Sequence, residues 1–353
     1  MTFRPAQRTR EPAVPMKPVV DPAGWHTGEL AANEDWVYEL SVVEVGEILA
    51  AVAEVERQGL DILEMRREDF AMPRLDVALA ALYDELLDGR GFVLIRGLPA
   101  GDLTKAQSAA AFWGIGTRFG GALSQNRQGH VLGHVKDFGG DYADANVRGY
   151  QTSARMSFHG DQSDYVALMC VQPSRSGGES LIASTVTIYN EMLKTCPDLA
   201  GELIAEFHQT RHGEVAPGDK PWYKLPVFSF HEGYFSARGA GVHALKAQGL
   251  PGVPPFTDRQ IAAFDAFEEA ASHTCFTMDF RPGDIQILHN HLMVHTRTAF
   301  EDWPEPERKR HLMRLWLSDW DGRPLVPGFR ENLQGVSVAG MVPSAPIDKF
   351  EPA

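Results

Sequence analysis

Cysteine is scarce. Cys170, Cys196 and Cys275 are the three present in 353 residues, they stand far apart, and none forms a CxxC pair. Neither a disulfide framework nor a thiolate zinc site is therefore expected, and a reducing cytoplasm suits the chain. Long apolar runs are missing too: no stretch approaches the roughly 18 residues that a membrane-crossing helix needs. Positive charge is in deficit, with a formal net charge of −14, which argues against nucleic acid or an anionic membrane as a partner. No GxGxxG and no GxxxxGK[ST] occurs, so neither glycine-rich phosphate cradle is available. Met1 to Asp21 is rich in proline and charge and lacks the apolar stretch of a secretory signal.

With 44% hydrophobic residues the chain can bury a substantial core. Residues 1–24, carrying Pro5, Pro12, Pro15, Pro18 and Pro22, are expected as a flexible arm. Residues 25–353 are expected as a single domain, with a helical part over about 25–90, a strand-rich core over about 91–325 and a C-terminal tail. Trp25 and Trp36 are the anchors that would pin the arm. Ser41 with Glu44 forms a capping-box pattern before Val42, Val45, Leu49 and Val52 at helical spacing. Further helices are expected over Leu75–Leu87, Thr104–Phe119, from Ser184 or Thr185 to about Lys194, Asp198–His208 and Thr257–Ser272. Strands are expected over Phe92–Leu98, Tyr165–Val171, Ser180–Ala183, Cys275–Phe280, Asp284–Leu288 and Leu312–Leu317, with a hairpin around His231-Glu232-Gly233. Without a βαβα rhythm, this order predicts an antiparallel α+β core. Gly120 to Arg155, holding Gln125, Asn126, His130, His134 and Lys136, is expected as a long loop of the kind that covers functional sites.

Chemistry concentrates in two blocks. In Ser157-Phe158-His159-Gly160-Asp161, an imidazole and a carboxylate two residues apart share one side of an extended segment, so both can reach one metal ion. Two histidines and a carboxylate on one face of Fe(II) leave positions free for oxygen chemistry. The second histidine should come from Pro282-Gly283-Asp284 to His295, where His289, His291 and His295 all qualify. Spacing alone does not choose among them.

Phe158-His159-Gly160-Asp161, Gly177-Gly178-Glu179-Ser180, Pro282-Gly283-Asp284, Asn290 with His295 five residues on, Thr296 to Phe300, and Arg310-His311-Leu312 resemble the iron(II)/2-oxoglutarate dioxygenases of the taurine dioxygenase (TauD/TfdA) family. The resemblance runs from roughly Asp35 to Leu325. It implies a double-stranded β-helix, or jelly roll, with flanking helices, and Fe(II), 2-oxoglutarate and O2 as cofactor and cosubstrates. It selects His295 as the third ligand beside His159 and Asp161, and Arg310 as the grip on the far carboxylate of 2-oxoglutarate, with Arg308 as fallback because the interval after His295 is slightly long. Ser180 stands where relatives often carry a threonine that bonds 2-oxoglutarate, and Arg314 shares strand parity with Arg310, facing cosubstrate or substrate. Related halogenases have a small residue in place of Asp161, so hydroxylation or another hydrogen-abstracting oxidation is implied here.

The substrate would be a small polar or anionic molecule. Arg155, Tyr165, Trp222, Tyr223 and Arg238 flank the metal blocks as candidate contacts, and Asp164 is a candidate for an amine. A homo-oligomer is compatible with this reading. Two rivals are a jelly-roll protein that binds a metal without turnover, and a zinc-dependent hydrolase or isomerase using the same three ligands.

Overall fold

The computed structural model describes residues 3–7, 9–140, 152–216, 218–239 and 241–347. Its largest sheet has seven strands: Val37–Glu39 (β1), Phe92–Arg96 (β2), Gly121–Leu123 (β3), Leu132–Val135 (β4), Tyr165–Gln172 (β5), Ile285–His289 and His311–Ser318. A smaller sheet joins Phe276–Met278, Ser180–Ser184 and Met293–Arg297. In chain order these strands are β6 (Ser180–Ser184), β7 (Phe276–Met278), β8 (Ile285–His289), β9 (Met293–Arg297) and β10 (His311–Ser318). The large sheet runs β1-β2-β8-β5-β10-β3, with β4 also on β10, and the small one runs β7-β6-β9. Every pairing is antiparallel except β1 with β2.

Period-two alternation divides the large sheet into two apolar faces. Val93, Ile95, Tyr165, Ala167, Met169, Ile285, Ile287, Met313, Leu315 and Leu317 are buried with residues of the helices Val42–Gln58, Pro73–Asp88 and Lys105–Gly116. Leu94, Val166, Leu168, Cys170, Leu288, Leu312 and Trp316 point the other way, into a core shared with Ile182 of β6 and Val294 of β9. Each such Leu, Ile or Phe, fully buried, contributes about 1.5–3 kcal/mol. The first helix begins as its sequence predicts: Glu44 N–H donates to the Ser41 hydroxyl at 3.3 Å, and Ser41 N–H to the Glu44 carboxylate at 2.7 Å. Among the described residues, no helix is long and apolar enough to cross a membrane.

Three expectations change. The helix expected over Asp198–His208 stops at Glu202, and Glu206–Thr210 becomes a strand paired with Trp222–Pro226, which captures Phe207 at the same apolar spacing. The long loop after Gly120 contributes β3 and β4 to the large sheet, while 141–151 lie outside the described residues. The N-terminal arm, expected to be flexible, is laid onto the body. Ala13 N–H donates to the Gly233 carbonyl at 2.7 Å, Met16 N–H to the Tyr189 hydroxyl at 2.9 Å, and Val19 N–H to Asn190 Oδ1 at 2.8 Å. The prolines taken as signs of disorder instead lower the entropy lost when an extended segment docks. Trp25 and Trp36 anchor as expected, both packing on Phe92.

An ion triad locks this arm. Asp21, buried, meets Arg323 and Arg10, each at 2.8 Å. Burial would raise the Asp21 carboxyl, but the two guanidinium groups hold it below its ordinary range. Its stabilising contribution is therefore complete above the unfolded-state value and lost as pH falls through the folded one. Asp21→Ala is expected to cost about 3–5 kcal/mol, since it strands the buried Arg323. Urea unfolding at neutral pH checks this, and the difference between variant and wild type should shrink in acid.

Candidate active site

The segment carrying His159 and Asp161 is held by backbone pairing to β9. His159 N–H donates to the His295 carbonyl at 3.0 Å, and His295 N–H returns to the His159 carbonyl at 2.9 Å. This one antiparallel bridge extends the small sheet by a further short segment and sets the two histidines side by side, ring centroids 4.4 Å apart. Asp161 is placed by Asn290: its backbone N–H donates to Asn290 Oδ1 at 3.2 Å, while Asn290 Nδ2 donates to the Ser163 carbonyl and hydroxyl, both at 3.0 Å. From the other side, Glu268 of the helix Asp258–Thr274 accepts the Phe158 N–H at 3.2 Å.

Ligand atoms of His159, Asp161 and His295 lie within 4.8 Å of one another. His159 Nδ1 is 2.9 Å from the Ser157 carbonyl, to which it donates, leaving Nε2 as a free lone pair. Asp161 Oδ2 and His295 Nδ1 are buried without a hydrogen-bond partner among the described residues, and His295 Nε2 stands 3.8 Å from Asp161 Oδ2, beyond bonding distance. Burial lowers both imidazoles, His295 to about 3. Burial alone would raise the Asp161 carboxyl, yet Arg314 and the two histidines hold it below its ordinary range. Two neutral imidazoles and one ionised carboxylate with unsatisfied atoms facing each other are the donor set of a 2-His-1-carboxylate Fe(II) centre. The residues fit the metal.

Beyond this cluster a cavity is lined by Val135, Leu168, Ser180, Arg310, Leu312 and Arg314 together with His159 and His295. Arg310 is buried, and its Nη1 has no partner among the described residues. Burial lowers its guanidinium to about 10, with Cys170 and Asp302 offsetting part of that effect, so it stays charged at neutral pH. The tight turn at Gly177-Gly178 makes room for it: Gly178 has φ +76°, and an added Cβ would stand 3.1 Å from Arg310 Nε. Ser180, two residues on, is buried and within 3.2 Å of Gln286 Nε2. Arg314 donates through Nε to Gln125 Oε1 at 2.7 Å and lies 3.5 Å from Asp161 Oδ1 through Nη1. It braces the acidic ligand from the cavity side. Arg308, the fallback, pairs with Glu305 and sits over the Trp303 ring at the exposed surface, so geometry favours Arg310.

The other candidates separate. His291 is bound to Asp164 at 2.9 Å and His289 accepts the His291 N–H, so neither joins the cluster. Asp164 also accepts from the Asp319 N–H at 2.8 Å, and Tyr165, on the helix-facing side of β5, donates to Asp319 at 2.7 Å. Both are corrections: Tyr165 falls on the wrong strand parity for the cavity, and the carboxylate of Asp164 is taken up by His291 and the Asp319 N–H. Arg155 is exposed, facing Glu268, and Trp222 donates its indole N–H to the Pro251 carbonyl at 2.9 Å. Tyr223 takes a 3.3 Å hydrogen bond from Gln162, next to Asp161. Arg238 lies against Asp161 itself, donating to its carbonyl at 3.0 Å. Sequence reasoning missed Glu268 and Gln286; Gln286 was marked by its place among buried alternating residues of β8, whereas Glu268 carried no local signal.

A jelly-roll core holding this donor set, with a buried arginine across the cavity, defines a 2-oxoglutarate-dependent non-haem iron oxygenase. The family model described as taurine catabolism dioxygenase TauD, TfdA family matches residues 58–316. FR-33289 synthase of Streptomyces rubellomurinus is 30% identical over 332 residues, 92% of this chain and 97% of that protein. The taurine hydroxylase-like protein SAT17 of Stachybotrys chartarum is 28% identical, covering 89% of this chain and 83% of that protein. Among solved structures, asparagine oxygenase in complex with Fe(II), 2S,3S-3-hydroxyasparagine and succinate superimposes with a TM-score of 0.64 at 17% identity, covering 80% of this chain and 93% of that one. The chain belongs to the TauD/TfdA dioxygenase family. It is an enzyme that uses Fe(II), 2-oxoglutarate and O2, and the non-catalytic and zinc-hydrolase alternatives fall away.

Asn290→Ala removes the side chain that orients Asp161 without touching a ligand. It is expected to weaken Fe(II) or Mn(II) binding about 10–100-fold, measured by anaerobic titration, with the circular dichroism spectrum unchanged. Undiminished affinity would show that the turn holds itself.

Proposed function

We propose that His159, Asp161 and His295 bind Fe(II), that Arg310 with Ser180 holds 2-oxoglutarate, and that the enzyme hydroxylates an unactivated C–H bond of a small polar or anionic molecule, yielding succinate and CO2. The observation that carries this is one cavity lined by His159 and His295, with Asp161 grouped beside them, and by the buried guanidinium of Arg310, whose Nη1 has no partner among the described residues. A relative named as taurine hydroxylase-like and a structural neighbour holding a hydroxylated amino acid and succinate support hydroxylation as the outcome.

Iron held by His159, Asp161 and His295 would supply the oxygen activation. The protein supplies placement. Arg310 offers a planar fork to the far carboxylate, which would otherwise be an unpaired charge in a buried site. Ser180 adds a hydroxyl donor on the same wall. Arg314, drawn to Asp161 Oδ1, leaves Oδ2 for the metal and keeps the carboxylate from turning. Val135, Leu168 and Leu312 give the cavity apolar walls that keep water from the reacting centre.

Anaerobic addition of Fe(II) and 2-oxoglutarate to the purified protein should develop the weak visible charge-transfer band of the chelate. Arg310→Ala is expected to lower 2-oxoglutarate affinity roughly a hundredfold to several thousandfold. No band with wild type would defeat the assignment of the ligands; unchanged affinity in Arg310→Ala would defeat that role alone.

A further inference from the structure

Arg238 follows the hairpin strand Tyr234–Ala237 and is 2% exposed. Its guanidinium lies against the metal-ligand segment, with Nη1 donating to the Asp161 carbonyl at 3.0 Å. Next to it in sequence, the Gly239 carbonyl accepts the Gly160 N–H at 3.0 Å, so the strand end and the ligand segment are fastened together. Nε and Nη2 of Arg238 are both buried and have no partner among the described residues.

Those two N–H groups form one edge of the planar fork and point in the same direction. Elsewhere in this protein that edge grips carboxylates: Arg96 holds Asp284 through Nε at 3.0 Å and Nη2 at 2.8 Å, and Arg118 meets Asp76 through the same two atoms at 2.8 and 3.4 Å. The other arginines lining the cavity are committed, Arg314 to Gln125 and Asp161, Arg297 to the carbonyls of Thr152 and Ala154, and Arg310, by the reading above, to 2-oxoglutarate. A buried guanidinium with an empty bidentate edge is costly as it stands and gains most from an oxyanion that fills it.

We propose that Arg238 is the anchor for an oxyanion headgroup of the substrate, a carboxylate, sulfonate or phosphonate gripped by Nε–H and Nη2–H beside Asp161. The inference rests on the reading of the metal cluster given above and deepens it to a substrate class. Anchoring there fixes the distance from headgroup to metal, and so selects which carbon is presented for oxidation.

The test uses the whole enzyme, held anaerobically with Fe(II) and saturating 2-oxoglutarate. Acetate, methanesulfonate and methylphosphonate are titrated in turn, with dimethyl sulfone as the uncharged control, and the chelate band is followed. A saturable change is expected with at least one oxyanion and none with dimethyl sulfone. In Arg238→Gln the affinity for that oxyanion should fall about thirtyfold or more while 2-oxoglutarate affinity holds; Arg238→Lys should fall between the two, keeping charge but losing the fork. A wild-type band indifferent to all three oxyanions, or an Arg238→Gln enzyme that responds like wild type, overturns the proposal. A wild type that forms no chelate band fails the metal assignment instead; where Arg238→Gln does not fold, Arg238→Lys decides, and an oxyanion affinity equal to wild type in that variant overturns the proposal.

Discussion

The site depends on two reciprocal backbone hydrogen bonds, between His159 and His295. Side chains could not gather these residues by themselves, because an imidazole placed only by its own torsions would trade position for entropy. By making the ligand segment a further strand beside β9, the fold borrows the regularity of a sheet to bring together two imidazoles, with Asp161 two residues on. Asn290 and Glu268 then hold what the sheet does not: the turn after Asp161 and the approach before His159.

Charge is distributed around this pair with purpose. The protein interior carries Asp161 and Arg314 as mutual partners, so the acidic ligand stays ionised despite burial. Arg310, by contrast, is buried with an unsatisfied nitrogen. One arginine is spent inside the site, and the other is the one proposed above to meet a ligand's charge. Arg310 stands immediately before β10 and Arg314 on it, and Leu312 and Trp316, between and beyond them, line or flank the same interior.

Much of this was legible in the sequence because period-two and helical apolar patterns are local properties, and so were the capping box at Ser41 and the Gly-Gly turn before Ser180. The motif His159-x-Asp161 announced its chemistry for the same reason. Choosing His295 over His289 and His291 was different: spacing left all three open, family resemblance selected one, and the structure shows His291 spent on Asp164. Where the reading failed, a long-range partner decided. The helix expected through His208 lost its second half to pairing with Trp222–Pro226, and Tyr165 and Asp164 took Asp319 and His291 as partners. The arm at residues 1–24 looked unable to bury a face, and it docks because Arg323, late in the chain, supplies the charge that Asp21 needs.

The tail past β10 also reaches the ligand segment: the Gly335 N–H donates to the carbonyl of Gln162, directly after Asp161, at 2.7 Å. Together with the pairing to His295, this fastens the His159–Asp161 segment to two stretches far later in the chain. Both contacts close long loops, and the entropy lost in closing them opposes placement of the segment until the rest of the fold has formed around it.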